Sequence, residues 1–80
     1  MRLDKYLKVS RIIKRRTVAN DACDAAHVTV NGRPAKASYD VKVGDVIEVT
    51  VGARTLRIRV LEVRETVGKD AASSLYEVVE

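Results

Sequence analysis

The apolar residues of this chain change their spacing once, near residue 27, and that switch limits what the chain can fold into. Leu3, Tyr6 and Leu7 recur three and four residues apart, with Asp4, Lys5 and Lys8 between them. This is the pattern of a short amphipathic helix that begins near Leu3 and is interrupted at Ser10. Val18, Ala19, Ala22, Cys23 and Ala26 keep the same period, with Asn20, Asp21 and Asp24 on the other face, which predicts a second helix over residues 15–25. Its stripe is almost all small residues, so the first helix can approach closely and Cys23 reads as a buried small hydrophobe. From Val28 onward the period is two. Val28 and Val30 flank Thr29, and Asn31-Gly32 follows as a tight-turn signal because both residues tolerate positive φ. Residues 33–42 hold the only proline, Pro34, and no sustained period, so they read as an ordered loop with Lys36, Ser38 and Tyr39 available for contacts. After a turn at Gly44-Asp45, Ile47, Val49 and Val51 alternate with polar or outward positions, as do Leu56, Ile58 and Val60. Gly52-Ala53 between these runs predicts a hairpin. Residues 64–74 are polar, and Tyr76 and Val78 mark a closing strand. Helices first and hairpin-linked strands after them define an α+β chain.

Eighty residues make one domain, residues 1–80, because domains commonly run about 100 to 150 residues and a chain this short builds only a modest core. Little room is left for a deep active-site cavity as well. His27 is the only histidine and Cys23 the only thiol, with no glycine-rich phosphate loop and no serine elbow, so no nucleophile and base can be paired. No catalytic residue, cofactor or metal site is expected. Asp21 with Asp24, and Glu62 with Glu65, read as solvating groups rather than catalytic carboxylates, and His27 as a surface residue at the helix-to-strand junction. No apolar run approaches the roughly 18 residues of a bilayer span and no signal peptide opens the chain, which points to a cytoplasmic protein.

The charge is unevenly placed. Residues 1–16 carry seven basic side chains, Arg2, Lys5, Lys8, Arg11, Lys14, Arg15 and Arg16, against the single acid Asp4, a net of +6 in a chain whose total is +4. The whole positive excess therefore lies in the first fifth of the chain, as a localised polyanion-binding surface requires. A basic face that only confers solubility, or a membrane-surface helix using Leu3, Tyr6, Leu7, Ile12 and Ile13, are the competing readings. Three tyrosines with no Phe or Trp make a poor platform for stacking single-stranded bases. Nine Arg to six Lys suit structured RNA, which is held through phosphates and shape by forked donors on rigid helices.

The order Arg2-Leu3-Asp4-Lys5-Tyr6-Leu7, Ser10-Arg11, Arg16 with Ala19, Val28-Thr29-Val30-Asn31-Gly32 and Val43-Gly44-Asp45 resembles the S4 RNA-binding domain over residues 1–51. That resemblance implies an S4-type, or alpha-L, fold: two N-terminal helices packed on a small bent antiparallel sheet, with RNA bound across the helical pair and the adjoining loop. Within the family, residues 8–17 and the Ala35-Lys36-Ala37-Ser38 loop look most like stand-alone bacterial members of ribosome-associated quality control. The resemblance implies a monomeric, non-enzymatic factor on the stalled large ribosomal subunit, contacting rRNA and P-site peptidyl-tRNA. It would support alanine tailing by a larger partner that recruits aminoacyl-tRNA. The implied RNA-binding residues are Arg2, Lys5, Lys8, Arg11, Lys14, Arg15, Arg16, Arg33 and Lys36. One departure is local: Ala26 stands where the family usually has Gly, so a left-handed helix end there would cost about 1 kcal/mol or shift by one residue. The runner-up is a heat-shock-type S4 protein, which typically has a long basic C-terminal extension where this chain stops at Glu80. An RNA-modifying or tRNA-charging enzyme bearing this domain, and a protein-only module using Arg57, Arg59 and Arg64, are the readings from other classes.

Overall fold

A computed structural model describes residues 1–65 and 68–79. Helix α1 (Leu3–Val9) buries Leu3, Tyr6 and Leu7 on one side, as their spacing requires. The N–H groups of its first turn, which have no partners within the helix, are taken up from elsewhere. Leu3 N–H donates to the Tyr39 carbonyl at 2.8 Å, Asp4 N–H to that of Ala37 at 3.2 Å, and Lys5 N–H to Asp4 Oδ1 at 2.8 Å. The loop that holds Ala37 and Tyr39 is thereby fastened to the start of α1. The helix stops at Ser10, and Arg11 follows at φ 62°.

Helix α2 (Arg16–Asp24) matches its expected span to within a residue at either end. Its C-terminus closes as a Schellman turn, with His27 N–H donating to the Ala22 carbonyl at 2.9 Å and Ala26 N–H to that of Cys23 at 3.0 Å. Ala26 adopts φ 61°, so the helix end has not shifted and alanine bears the strain that glycine would avoid. Cys23 and Ala19 are buried against the core, as the small-residue stripe implies. Val18 is not: it is half exposed, because it lies off the Ala19–Cys23 line and faces away from the sheet.

The strands β1 (Val28–Val30), β2 (Arg33–Pro34), β3 (Val46–Val51), β4 (Arg54–Val60) and β5 (Tyr76–Val78) form one antiparallel sheet in the order β2-β1-β3-β4-β5. Asn31 and Gly32, at φ 54° and 83°, make the tight turn that sets Val30 opposite Arg33. The expected 33–42 loop thus begins as a strand. Pro34 is tolerated there because β2 is an edge, where a missing N–H breaks no ladder. Tyr39 is half-buried rather than free for contacts, since its hydroxyl donates to Asp45 Oδ2 at 2.9 Å. The buried Asp45 carboxylate also accepts from Lys42 N–H and Asn31 Nδ2, tying this loop to the first turn. That bond, with burial and the Asp45 charge, holds the Tyr39 phenol above its ordinary pKa.

Val28, Val30, Ile47, Val49, Ile58 and Val60 point from the sheet onto Leu3, Tyr6, Leu7, Ala19 and Cys23. The polar stretch expected over 64–74 holds more structure than its composition indicates, although residues 66–67 lie outside the described residues. It contains a short helix α3 (Lys69–Ala72) and a 3-10 turn (Ser73–Leu75). Both are carried by Leu75, fully buried, whose carbonyl accepts from the Tyr6 hydroxyl at 2.9 Å and from Leu61 N–H at 2.8 Å. Burial drives the Tyr6 phenol far above its ordinary pKa, so it remains a donor.

Candidate nucleic-acid interface

Two helices and the loop between them supply the basic side chains, and one acid organises part of them. Arg2 precedes α1 and Arg16 opens α2, yet both reach Asp4. Arg2 Nε lies 3.2 Å from Oδ1 and Nη2 3.3 Å from Oδ2; Arg16 Nε lies 3.4 Å from Oδ2; Asn20 Nδ2 also lies 3.4 Å from Oδ2. The Asp4 carboxylate is buried at the floor of an open depression that Arg16, Thr17, Asn20 and Asp21 also line, while the Arg2 and Arg16 side chains remain about half exposed above it. Burial alone would raise the Asp4 pKa. The hydrogen bonds from Arg2, Asn20, Lys5 N–H and Arg16 together outweigh it and hold the carboxyl below its ordinary value. Asp4 is therefore ionised at neutral pH, and two guanidinium groups on one carboxylate leave a net positive cluster.

Sequence patterning registered Asp4 only as the lone acid of a basic run, and set Asn20 on the solvent face with Asp21 and Asp24. Its being the lone acid, between core positions Leu3 and Leu7, was the available signal. Asp21 and Asp24 are exposed, as expected of solvating groups, whereas Asn20 turns inward.

The remaining cations divide into two kinds. Lys8, Arg11, Lys14 and Arg15 are exposed and have no acidic partner among the described residues. Lys5 is ion-paired with Glu65, which holds that carboxyl below its ordinary pKa. Lys36 lies in the loop whose Ala37 and Tyr39 carbonyls cap α1, which brings it to the α1 end of the surface. Arg33 stands apart on the edge strand β2. Across the molecule the pattern reverses. Arg57 pairs with Glu48 at 3.5 Å, Arg59 with Glu77 at 2.9 Å and Arg64 with Glu62 at 3.2 Å. Lys42 and Arg54 have no acidic partner among the described residues but stand singly, in a loop and at a strand start. The face that a protein-only module would use is thus largely neutralised by its own acids, and the helical face is not.

Burial pushes the Cys23 thiol up to about 11, with Asp4 and Asp24 adding to the effect, so this core residue stays a protonated thiol at neutral pH. No metal-holding cluster of His, Cys, Asp or Glu occurs among the described residues, and no helix among them is long and apolar enough to cross a membrane.

A helical pair carrying unpaired cations, set on a five-stranded antiparallel sheet, defines an S4-type RNA-binding fold, and residues 1–47 match the S4 domain. The chain belongs to the S4 domain family. It is 51% identical over 79 residues to the RQC P-site tRNA stabilizing factor of Streptococcus pneumoniae (strain ATCC BAA-255 / R6), covering 99% of this chain and 90% of that one. The protein of the same name from Halalkalibacterium halodurans is 51% identical over 78 residues, 98% of this chain and 89% of that one. Among solved structures, the trimeric heat shock protein 15 of Vibrio cholerae superposes with a TM-score of 0.92 at 30% identity, covering 99% of this chain and 81% of that chain.

Proposed function

We propose that this chain is a non-enzymatic, monomeric RNA-binding factor of bacterial ribosome-associated quality control, acting in the cytoplasm on stalled large ribosomal subunits. It contacts rRNA and P-site peptidyl-tRNA and supports alanine tailing by a larger partner that recruits aminoacyl-tRNA. The observation that carries the RNA-binding part is the division of charge: Lys8, Arg11, Lys14 and Arg15 around α1 and α2 have no acidic partner among the described residues, whereas Arg57, Arg59 and Arg64 on or beside the sheet are each held by a glutamate. The ribosomal part is supported by the names of the two relatives that match nearly the whole chain. In this reading Arg2, Lys8, Arg11, Lys14, Arg15, Arg16 and Lys36 meet phosphates directly, Lys5 does so on release from Glu65, and Arg33 extends the surface along β2.

Such a factor works by binding one state better than another, since equal affinity for two states shifts neither. The test is co-sedimentation with large subunits that carry P-site peptidyl-tRNA and with empty ones. Preference for the occupied form is expected, and equal affinity would refute the mechanism. A heat-shock-type role is the second reading, favoured by the likeness to the Vibrio cholerae protein. A reconstituted tailing reaction separates the two: alanine addition should fall when this chain is withheld, and an unchanged yield would favour the second.

A further inference from the structure

We infer that Asp4, the one acid of the basic segment, is a positioning residue that builds a single phosphate site from Arg2 and Arg16. The inference rests on the RNA-binding reading above and goes beyond it in assigning a role to a carboxylate that simple electrostatics would count as harmful. Five donors converge on that carboxylate. Oδ1 accepts from Lys5 N–H and Arg2 Nε, and Oδ2 from Arg2 Nη2, Arg16 Nε and Asn20 Nδ2. A guanidinium has five N–H groups, so these contacts leave three free on Arg2 and four on Arg16. Both guanidinium groups are gripped through Nε, and the Arg16 terminal nitrogens have no partner among the described residues, which leaves their protons for a ligand.

Without the carboxylate, two like charges from different elements would repel and each long side chain would sample many rotamers. Ordering such a side chain on binding costs about 0.5 to 1.5 kcal/mol, a cost that prior ordering removes. Asp4 is well placed to do this because it is itself 2% exposed and fixed from below by the backbone of Lys5, whereas the arginines it holds remain about half exposed. The ligand this arrangement suits is one tetrahedral phosphodiester of a folded RNA backbone, taken by forked donors from two sides.

The sign of the expected effect is what makes the inference testable. Asp4→Asn removes a negative charge from an RNA-binding face, so charge counting alone calls for tighter binding. Positioning calls for the reverse: about tenfold weaker binding to a short RNA hairpin and to purified large subunits, in line with losing one well-formed charged contact. The log-log salt slope should also become shallower by about one phosphate equivalent although the net charge has risen. Circular dichroism at the assay temperature fixes the folded fraction. A loss of binding that merely tracks lost fold, with the slope unchanged, would overturn the inference, as would binding equal to or tighter than the parent.

Should Asp4→Asn not fold, the parent protein still decides by NMR of its arginine side chains. The Arg2 and Arg16 Nε–H signals should exchange more slowly than those of Arg15 and should move when the hairpin is added. Exchange as fast as that of Arg15 would reject the site. Failure of the broader reading looks different. If Arg16→Ala weakens binding while Asp4→Asn does not, the RNA interface stands and Asp4 positioning is refuted. If neither changes binding and the salt dependence is flat, the RNA-binding reading itself fails.

Discussion

Arg11 and Ala26 both sit just past a helix end with φ near +60°, a conformation in which a Cβ costs roughly 1 kcal/mol, yet the two strains serve different ends. Ala26 is exposed, uncharged and away from the cation cluster, and glycine there keeps the Schellman turn at no steric cost. Ala26→Gly should therefore raise stability by a few tenths to about 1 kcal/mol in thermal melts and leave RNA affinity unchanged. Arg11→Gly relieves the same strain and should stabilise by a similar amount, about 1 kcal/mol at most, while weakening RNA binding several-fold. A gain in melting temperature with intact binding would show that Arg11 is not part of the interface. Asp4 adds a pH dependence at this scale. Its carboxyl titrates lower in the folded protein than its ordinary 3.8, so its stabilisation is fully present above that value and is lost as pH falls through the folded pKa. Below about pH 4 the parent should lose stability more steeply than Asp4→Asn, measured by denaturant titration at a series of pH values.

At the scale of elements, the segment after β4 belongs to the core through one residue. Leu75 is fully buried in the same cluster as Leu3, Tyr6 and Ile58, and its carbonyl is held by Tyr6 and by the backbone of Leu61 and Glu62. Leu75→Ala should cost about 2 to 5 kcal/mol, and Tyr6→Phe about 1 kcal/mol because the carbonyl retains its backbone donors. Denaturant unfolding followed by circular dichroism measures both, and a Leu75→Ala variant as stable as the parent would show that the segment is not held by this contact. The same residue explains what the sequence did and did not disclose. Both N-terminal helices, β1 and the β3–β4 hairpin were legible because their apolar residues repeat at one period for long enough, with glycine, asparagine or serine at the ends. Helix α3 spans four residues, too few for any period to register, and the core contact of its segment is made by Leu75 just beyond it. β2 is two residues long and contains proline, so only its pairing with β1 reveals it. In the candidate site, the basic residues were visible as a charge count. Asp4 and Asn20 were not, because their meaning lies in a carboxylate-to-amide distance across sixteen positions of chain.

Over the whole molecule, the distribution of acids matters more than the number of bases. A net charge of +4 spread over matched pairs would attract polyanions weakly, since each acid beside a base repels the same phosphate that the base attracts. Here Arg57, Arg59 and Arg64 on the sheet side are each matched by a glutamate, whereas around the helices Lys8, Arg11, Lys14 and Arg15 have no acidic partner among the described residues, so the positive excess lies on the helical side. Lys14 and Arg15 occupy the segment between α1 and α2, exposed and with no acidic partner among the described residues. Replacing both with glutamine should remove up to two released counterions, making the log-log salt slope of RNA binding shallower by roughly 1.5. Arg57→Gln with Arg59→Gln removes the same formal charge but leaves Glu48 and Glu77 unpaired on the far face, and should change the slope by less than about 0.5. The two double variants have equal net charge, so titrations over a salt series compare position alone. Equal slopes for both would mean that RNA senses only total charge and that the helical face has no privileged role. A larger loss from the sheet pair would move the interface to the opposite side of the molecule.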